Sequence, residues 1–379
     1  MPIQPLLDAL TLAANMADIK PPLSAQEARV EATRCLYCFD APCIAACPTG
    51  IDVPAFIKKI ATDNLTGAAR TILEANVLGA SCARVCPTQV LCEGACVMLD
   101  LAKQPIEIGR LQRFATDAVT ERGIDVLQAP REQNGRRVAV LGAGPAGLGC
   151  AAELARLGYA VRVFDRQPRG GGLNTYGIAF YKMRPEVSLA EVALIERLGV
   201  AFHFDCEVGR DLALADLERE HDAIFLGIGL GGVQRLGIPG EDLPEVLDAL
   251  HFIKWIRTRP LAEVPVGRRV AVLGCGNTAI DAVTQALRLG AEKATVIYRR
   301  SAADMSAYSF EYELAKADGA GFVFHAVPVE VLGEHGHVTG LRLARTEVCD
   351  GRLVVLPNSE WTEPYDMVLS AVGQKKQSP

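Results

Sequence analysis

What is missing narrows the field first. The chain has 379 residues and a formal net charge of -6, so no basic surplus points to nucleic acid or to an anionic membrane surface. No apolar run approaches the roughly 18–20 residues of a membrane span. The N-terminus, MPIQPLLDALTLAANMADIK, lacks a basic segment followed by an apolar core. It therefore does not read as a signal peptide, and a cytoplasmic setting is expected. Histidine is scarce. None of His203, His221, His251, His325, His335 and His337 forms a metal-ligand pair, and the last two fall in a Gly-rich turn that reads as surface. No catalytic residue is expected, because no acid or base is called for by the motifs below. No substrate site stands out beyond those motifs.

Cysteine is what the chain has in plenty. Eight of its twelve cysteines fall in two runs. The first is Cys35-x2-Cys38-x4-Cys43-x3-Cys47-Pro48. The second is Cys82-x3-Cys86-Pro87-x5-Cys92-x3-Cys96. In a large chain of cytosolic character, such runs favour metal binding over disulfides. Short spacings closed by Cys-Pro are those of cubane iron–sulfur clusters, with the last cysteine of a run often ligating the other cluster. Zinc sites or unrelated buried thiols are the weaker alternatives. Cys150, Cys206, Cys275 and Cys349 lie apart in apolar or strand contexts and read as core or incidental thiols.

Around these runs the chain is helical. Ser24 with Glu27 reads as a capping box opening a helix that delivers Cys35. AFIKKIATDN and GAARTILEANVLGA have helical spacing between the runs, and IEIGRLQRFATDAVTERG follows Pro105. The apolar content of this part looks thin, so clusters are expected to supply some of its core. The polar linker DVLQAPREQNGRR then marks a boundary.

Next comes the strand Val138-Ala-Val-Leu and a turn, Gly142-Ala-Gly144-Pro145-Ala146-Gly147. A helix follows, and a strand, AVRVF, ending in Asp165. This is the dinucleotide fingerprint in its required context. Glycines allow the tight turn and close approach to a pyrophosphate, the helix N-terminus faces the phosphates, and the acidic residue takes ribose hydroxyls. The pattern recurs as Val270-Ala-Val-Leu-Gly274-Cys-Gly276-Asn277-Thr278-Ala279, an internal repeat with Ala279 for the third glycine. Its second strand ends in Arg299-Arg300, which suits a 2′-phosphate and favours NADP(H) over NAD(H). A solvated strand end is the bland alternative. Between the copies, Gly170-Gly171-Gly172-Leu173 forms a loop beyond the first nucleotide site. Two further strands, starting at Asp222 and Asp366, look alike and end in glycine, and the first reads as buried. They suggest one domain inserted in another, with the chain leaving the first near Gly231 and returning near Trp361.

The expected fold is α+β and multidomain. A helical domain with two clusters (1–130) precedes a discontinuous Rossmann-like domain (131–231 and 358–379) with a second Rossmann-like domain (232–357) inserted.

In this order the motifs GAGPAG, GGLNTYGI, GCGNTAID and YRRS resemble the flavin/iron–sulfur subunit, or N-terminal half, of dihydropyrimidine dehydrogenase. The wider superfamily includes the glutamate synthase small subunit. The resemblance covers nearly the whole chain. It implies FAD at Gly142–Gly147, Asp165, Gly172 and Leu173, and NAD(P)H at Gly274–Ala279 with Arg299 and Arg300. It also implies two 4Fe–4S clusters. Cys35, Cys38, Cys43 and Cys96 would hold one; Cys47, Cys86, Cys92 and Gln112 would hold the other. The segment Ile106–Thr116 is closest to the dihydropyrimidine dehydrogenase version, where a glutamine is a ligand. Cys82 is the competing donor. The implied partner is an FMN-bearing subunit that reduces uracil or thymine to the 5,6-dihydro compound. Alternatives are the electron-donating subunit of glutamate synthase and a non-catalytic iron–sulfur scaffold. Two departures stand out. Family members continue past Ala371-Val-Gly-Gln with a strand, a Gly-Asp turn and a helix that close over the flavin, so the chain is expected to be C-terminally short. And the loop GIAFYKMRP has Ala179 where the family has proline.

Overall fold

Side-chain caps decide where the first helices begin. In the computed structural model, which describes residues 7–349 and 351–376, α1 (Ala9–Asn15) starts at Asp8, whose carboxylate accepts from Thr11 N. Helix α2 (Ala25–Thr33) opens with the expected box of Ser24 and Glu27. After the short α3 (Pro42–Ala45), helix α4 (Val53–Ala61) is capped by Asp52 with Pro54 in its first turn. Asn64 caps α5 (Leu65–Ala75). These are the residues that satisfy orphan amides at a helix start, each worth about 1 kcal/mol. Asn76 ends α5, so the single helix expected over GAARTILEANVLGA is broken before α6 (Gly79–Val85). Helix α7 (Ile108–Glu121) follows the second cysteine run.

Two compact units form. One comprises residues 18–175 and 182–229. Its helical part has a real apolar core. Phe56, Ile57 and Ile60 of α4 pack with Ile72 and Leu111, all at 2% exposure or less. Each such side chain contributes about 1.5–3 kcal/mol by leaving water. Partly buried Cys35, Cys43, Cys47, Cys92 and Cys96 pack against that core. The helical part thus has a substantial apolar core of its own, with the cysteines at its flank.

In the same unit, β1 (Arg137–Leu141) leads into α8 (Pro145–Arg156) and β2 (Ala160–Phe164). The turn α9 (Leu173–Tyr176), helix α10 (Pro185–Arg197), β3 (Ala201–His203), α11 (Leu214–Glu220) and β4 (Ala223–Leu226) follow. The sheet is parallel, in the order β3-β2-β1-β4. At the sheet edge, β4 leaves Phe225 at 37% and Leu226 at 50% exposure, not buried as expected.

The other unit holds residues 7–17, 176–181 and 230–376. It contains β5 (Leu230–Val233), β6 (Val246–Asp248), α12 (Ala249–Thr258), β7 (Arg269–Leu273), α13 (Asn277–Arg288), β8 (Lys293–Tyr298), α14 (Ser309–Ala317) and β9 (Gly321–Phe324). An antiparallel group follows, β10 (Ala326–Glu334), β11 (His337–Cys349), β12 (Arg352–Val355) and β13 (Trp361–Glu363), then β14 (Met367–Ser370) and β15 (Gln374–Lys376). The main sheet runs β6-β14-β7-β8-β9. Helix α1 belongs here rather than to the helical domain expected over 1–130. Leu12 and Met16 are buried in this unit's core, and Asn15 Nδ2 donates to the Arg288 carbonyl at 3.0 Å.

The inserted-domain boundary also needs correction. Strand β14, assigned above to the first Rossmann-like domain, is wholly buried and pairs in parallel with β6 and β7. Trp361–Glu363 likewise pairs with β11, and β15 pairs with β5. The likeness of the Asp222 and Asp366 strands has another cause. They occupy equivalent places in the repeat, β4 beside β1 and β14 beside β7. Asp222 accepts from Arg137 N at 2.8 Å and Asp366 from Arg269 N at 2.9 Å, so each aligns the strand that opens its fingerprint.

Candidate functional site

Three groups of side chains were singled out from the sequence; the thiols of each cysteine group come together, and each nucleotide loop forms at its own strand–helix turn. Cys35, Cys38, Cys43 and Cys96 line one cavity with Val53, Ile57, Met98, Ile106 and Ile108. The first three come from the loop between α2 and α4; Cys96 arrives from the second run. Burial pushes the Cys35 thiol up and the Cys43 thiol up to about 11. Apolar walls thus disfavour free thiolates, which only a bound cation offsets.

The second group gathers Cys47, Cys82, Cys86 and Cys92. Hydrogen bonding from Cys86 pulls Cys82 down to about 7 against burial, with Gln112 and Asn76 helping. The same pairing, with burial, pushes Cys86 far up, and Cys47 and Cys92 add repulsion. Cys92 is pushed up to about 12, chiefly by burial. Gln112 is 4% exposed on α7, and its Nε2 donates to the Gly79 carbonyl at 2.7 Å. That leaves Oε1 as the atom with ligating capacity. Gln112 and Cys82 both stand in this group.

All twelve cysteines are free. Among the described residues no three His, Cys, Asp or Glu side chains converge on a single-ion site. A polynuclear cluster is held by one cysteine per iron and needs no such convergence. Four thiols in the first group, and three thiols with Gln112 or Cys82 as the fourth donor in the second, fit that demand.

The third group is the pair of nucleotide loops. Gly142 has φ +100°, and a Cβ there would press on the Gly227 carbonyl; a Cβ at Gly147 would press on the Gly142 carbonyl. Helix α8 starts at Gly144 with no side-chain cap and Pro145 in its first turn, so its first amides are left for a ligand. Ala146 lies in the same turn. Gly172 packs on this loop: a Cβ on it would stand 2.7 Å from Gly144 Cα. Leu173 is exposed beside it. Asp165 at the end of β2 accepts from Ala143 N at 2.7 Å and Gln167 N at 2.8 Å. Its carboxylate braces the turn.

In the repeat, Gly274 has φ +113°, and a Cβ there would meet the Ala371 carbonyl at 2.5 Å. Helix α13 also starts without a side-chain cap, at Gly276, with Thr278 and the buried Ala279 in its first turn. Asn277 Oδ1 accepts from Tyr308 N at 3.1 Å and so fixes the neighbouring loop. Arg299 and Arg300 follow directly on β8. Thr346 Oγ1 donates to the Arg299 carbonyl and His325 N to that of Arg300. Both guanidinium groups are exposed, and among the described residues neither forms a salt bridge. Their main chain is fixed while their charge stays available.

Residues 12–124 match the family described as dihydropyrimidine dehydrogenase domain II, 4Fe-4S cluster, and residues 136–378 match pyridine nucleotide-disulphide oxidoreductase. The chain belongs to this family of iron–sulfur flavoprotein oxidoreductases. It is 37% identical over 373 residues to the putative oxidoreductase AegA of Escherichia coli, covering 94% of this chain and 56% of that one. It is thus little more than half as long as the first relatives it matches. The glutamate synthase (NADPH) small chain of Halomonas elongata is 36% identical, over 96% of this chain and 80% of its own length. The NAD-dependent dihydropyrimidine dehydrogenase subunit PreT of Salmonella typhimurium is 37% identical, over 88% and 78%. Among solved structures, FprA of Mycobacterium tuberculosis in complex with NADPH has a TM-score of 0.55 at 20% identity, covering 64% of this chain and 72% of that chain. That likeness concerns the fold.

This iron–sulfur flavoprotein is an oxidoreductase that binds FAD and 4Fe–4S iron. No helix among its described residues is long and apolar enough to cross a membrane. Buried ionisable groups escaped the sequence reading, Glu191 the deepest of the carboxylates among them. Glu191 of α10 is 4% exposed and bonded to Ser81. Ser188 and Ile195, three before it and four after, lie on the same buried face. Helical spacing therefore carried the signal.

Proposed function

We propose that the chain is the electron-input subunit of a larger enzyme, carrying electrons from NADPH through FAD and two 4Fe–4S clusters to a partner. The observation that carries this is the conjunction of two uncapped Gly-rich helix starts with two sets of four cysteines. A flavin accepts a hydride and releases single electrons, which clusters conduct. The protein's residues bind and orient. The first turns of α8 and α13 receive pyrophosphates, and Asp165 receives the flavin's ribose. Arg299 and Arg300 receive the 2′-phosphate that distinguishes NADPH. Cys35, Cys38, Cys43 and Cys96 ligate one cluster. Cys47, Cys86, Cys92 and Gln112 ligate the other, with Cys82 as a neighbouring thiol that tunes it. The free cysteines suit a reducing, cytoplasmic setting.

The favoured partner is an FMN-bearing subunit that reduces uracil or thymine. The buried Gln112 beside the second cysteine group supports this choice. The glutamate synthase reading is supported by a relative 36% identical over 96% of this chain. Mixing the purified protein with each kind of partner separates them. NADPH-dependent dihydrouracil formation with the first supports the proposal. Glutamate formation with a glutamate synthase large subunit, and none with the first, refutes the choice of partner.

A further inference from the structure

Glu191 joins the two halves of the cysteine-bearing unit at one point. It lies on α10, beside the Rossmann sheet, and its carboxylate reaches α6 of the helical part. One oxygen accepts from Ser81 N at 2.8 Å; the other accepts from the Ser81 hydroxyl. Ser81 is the third residue of α6, so its amide is one of the orphan donors of a helix start. The residue before α6, Leu78, offers no side-chain cap. Glu191 supplies from another element what the local sequence lacks.

The next residue is Cys82, and Cys86 ends the same helix. Two of the thiols in the second cysteine group therefore ride on the one short element that Glu191 holds. The nearest balancing charge, Arg84, is already committed. Its guanidinium forms a salt bridge to Asp117 of α7 at 2.7 Å, and Arg113 joins the same carboxylate. Burying a carboxylate is costly unless it is well bonded, so its persistence here calls for a purpose beyond packing.

We infer that Glu191 is a positioning residue for the second cysteine group: it caps α6 from α10, fixes Cys82 and Cys86, and lowers the reduction potential of the cluster held there. This rests on the reading that these cysteines hold a cluster. Reduction adds an electron, and a neighbouring buried negative charge opposes it, because net charge is a main lever on cluster potential. The first cysteine group has no equivalent contact among the described residues, so the two clusters are set apart in potential.

The test uses the full chain, purified anaerobically, as wild type, Glu191→Gln and Glu191→Ala. Glutamine can keep both bonds to Ser81 while removing the charge. Iron and sulfide are assayed, and each cluster's midpoint is read by electron paramagnetic resonance in alkaline buffer. Glu191→Gln should retain the wild-type iron while one midpoint rises. The ratio of reduced to oxidised cluster at a fixed potential then rises roughly tenfold, about 59 mV for one electron. Glu191→Ala should lose about half of the iron. Wild-type iron with both midpoints unmoved in Glu191→Gln overturns the inference, as do equal shifts in both clusters. Wild-type protein without iron or sulfide overturns the cluster reading itself, and this inference with it.

Discussion

Raising the pH should weaken the anchorage of α6, and replacing Glu191 with glutamine should remove that sensitivity. Burial pushes the Glu191 carboxyl from its ordinary 4.5 up to about 7, against hydrogen bonds from Ser81 and the field of Arg84. The folded state thus holds this proton more tightly than the unfolded chain does. Its contribution is fully present below about pH 4.5 and is lost as pH climbs through about 7. A rise of two and a half pH units corresponds to about 3 kcal/mol, with no discount for solvent at a 4% exposed group. The assay is hydrogen exchange at the α6 amides, comparing wild type and Glu191→Gln at equal cluster loading and equal pH. Near pH 5 the two should be equally protected. Near pH 8 the wild type should exchange up to roughly a hundredfold faster relative to the variant. A ratio that stays constant across that range refutes the reasoning, because it means Glu191 does not titrate with the packing of α6.

Other perturbations have equally definite outcomes. Gln112→Ala should lose roughly half of the iron while Cys82→Ala keeps most of it; iron loss only in Cys82→Ala reverses the ligand assignment. Arg299→Ala and Arg300→Ala should each lower kcat/KM for NADPH about tenfold, the worth of one exposed charge-assisted bond, and leave NADH little changed. Equal losses with both nucleotides contradict the 2′-phosphate role. Gly147→Ala should abolish flavin retention while the second nucleotide loop still binds, because a Cβ there meets the Gly142 carbonyl. Flavin content is read from absorbance after gel filtration, and full retention would show that the turn has slack.

The repeated fingerprints were legible because each is a contiguous string whose backbone needs are local: positive φ at Gly142 and Gly274, and an uncapped helix start after each. The capping box at Ser24 was legible for the same reason. The misassigned strand shows the limit. Met367–Ser370 looks like Ala223–Leu226, and likeness alone cannot say whether two strands flank one sheet or hold matching places in two. Only pairing with β7 decides it. Helix α1 was assigned to the helical domain because Leu12 and Met16 have no partners nearby in sequence; their partners lie more than two hundred residues on, in the same compact unit. The cysteine spacing announced clusters, but the sorting of eight thiols into two sets depends on how α2, α4, α6 and α7 pack. Glu191 was missed because a glutamate on an amphipathic helix is usually solvated.

One measurement bears on the whole account. Anaerobic protein, assayed for iron, sulfide and FAD, is titrated with NADPH while its absorbance is recorded. The account predicts about eight irons per chain and bleaching of both the flavin and the cluster bands, complete at about two equivalents of NADPH, because FAD takes two electrons and each cluster one. FAD bleaching without cluster bleaching, or a protein holding neither cofactor, would contradict it.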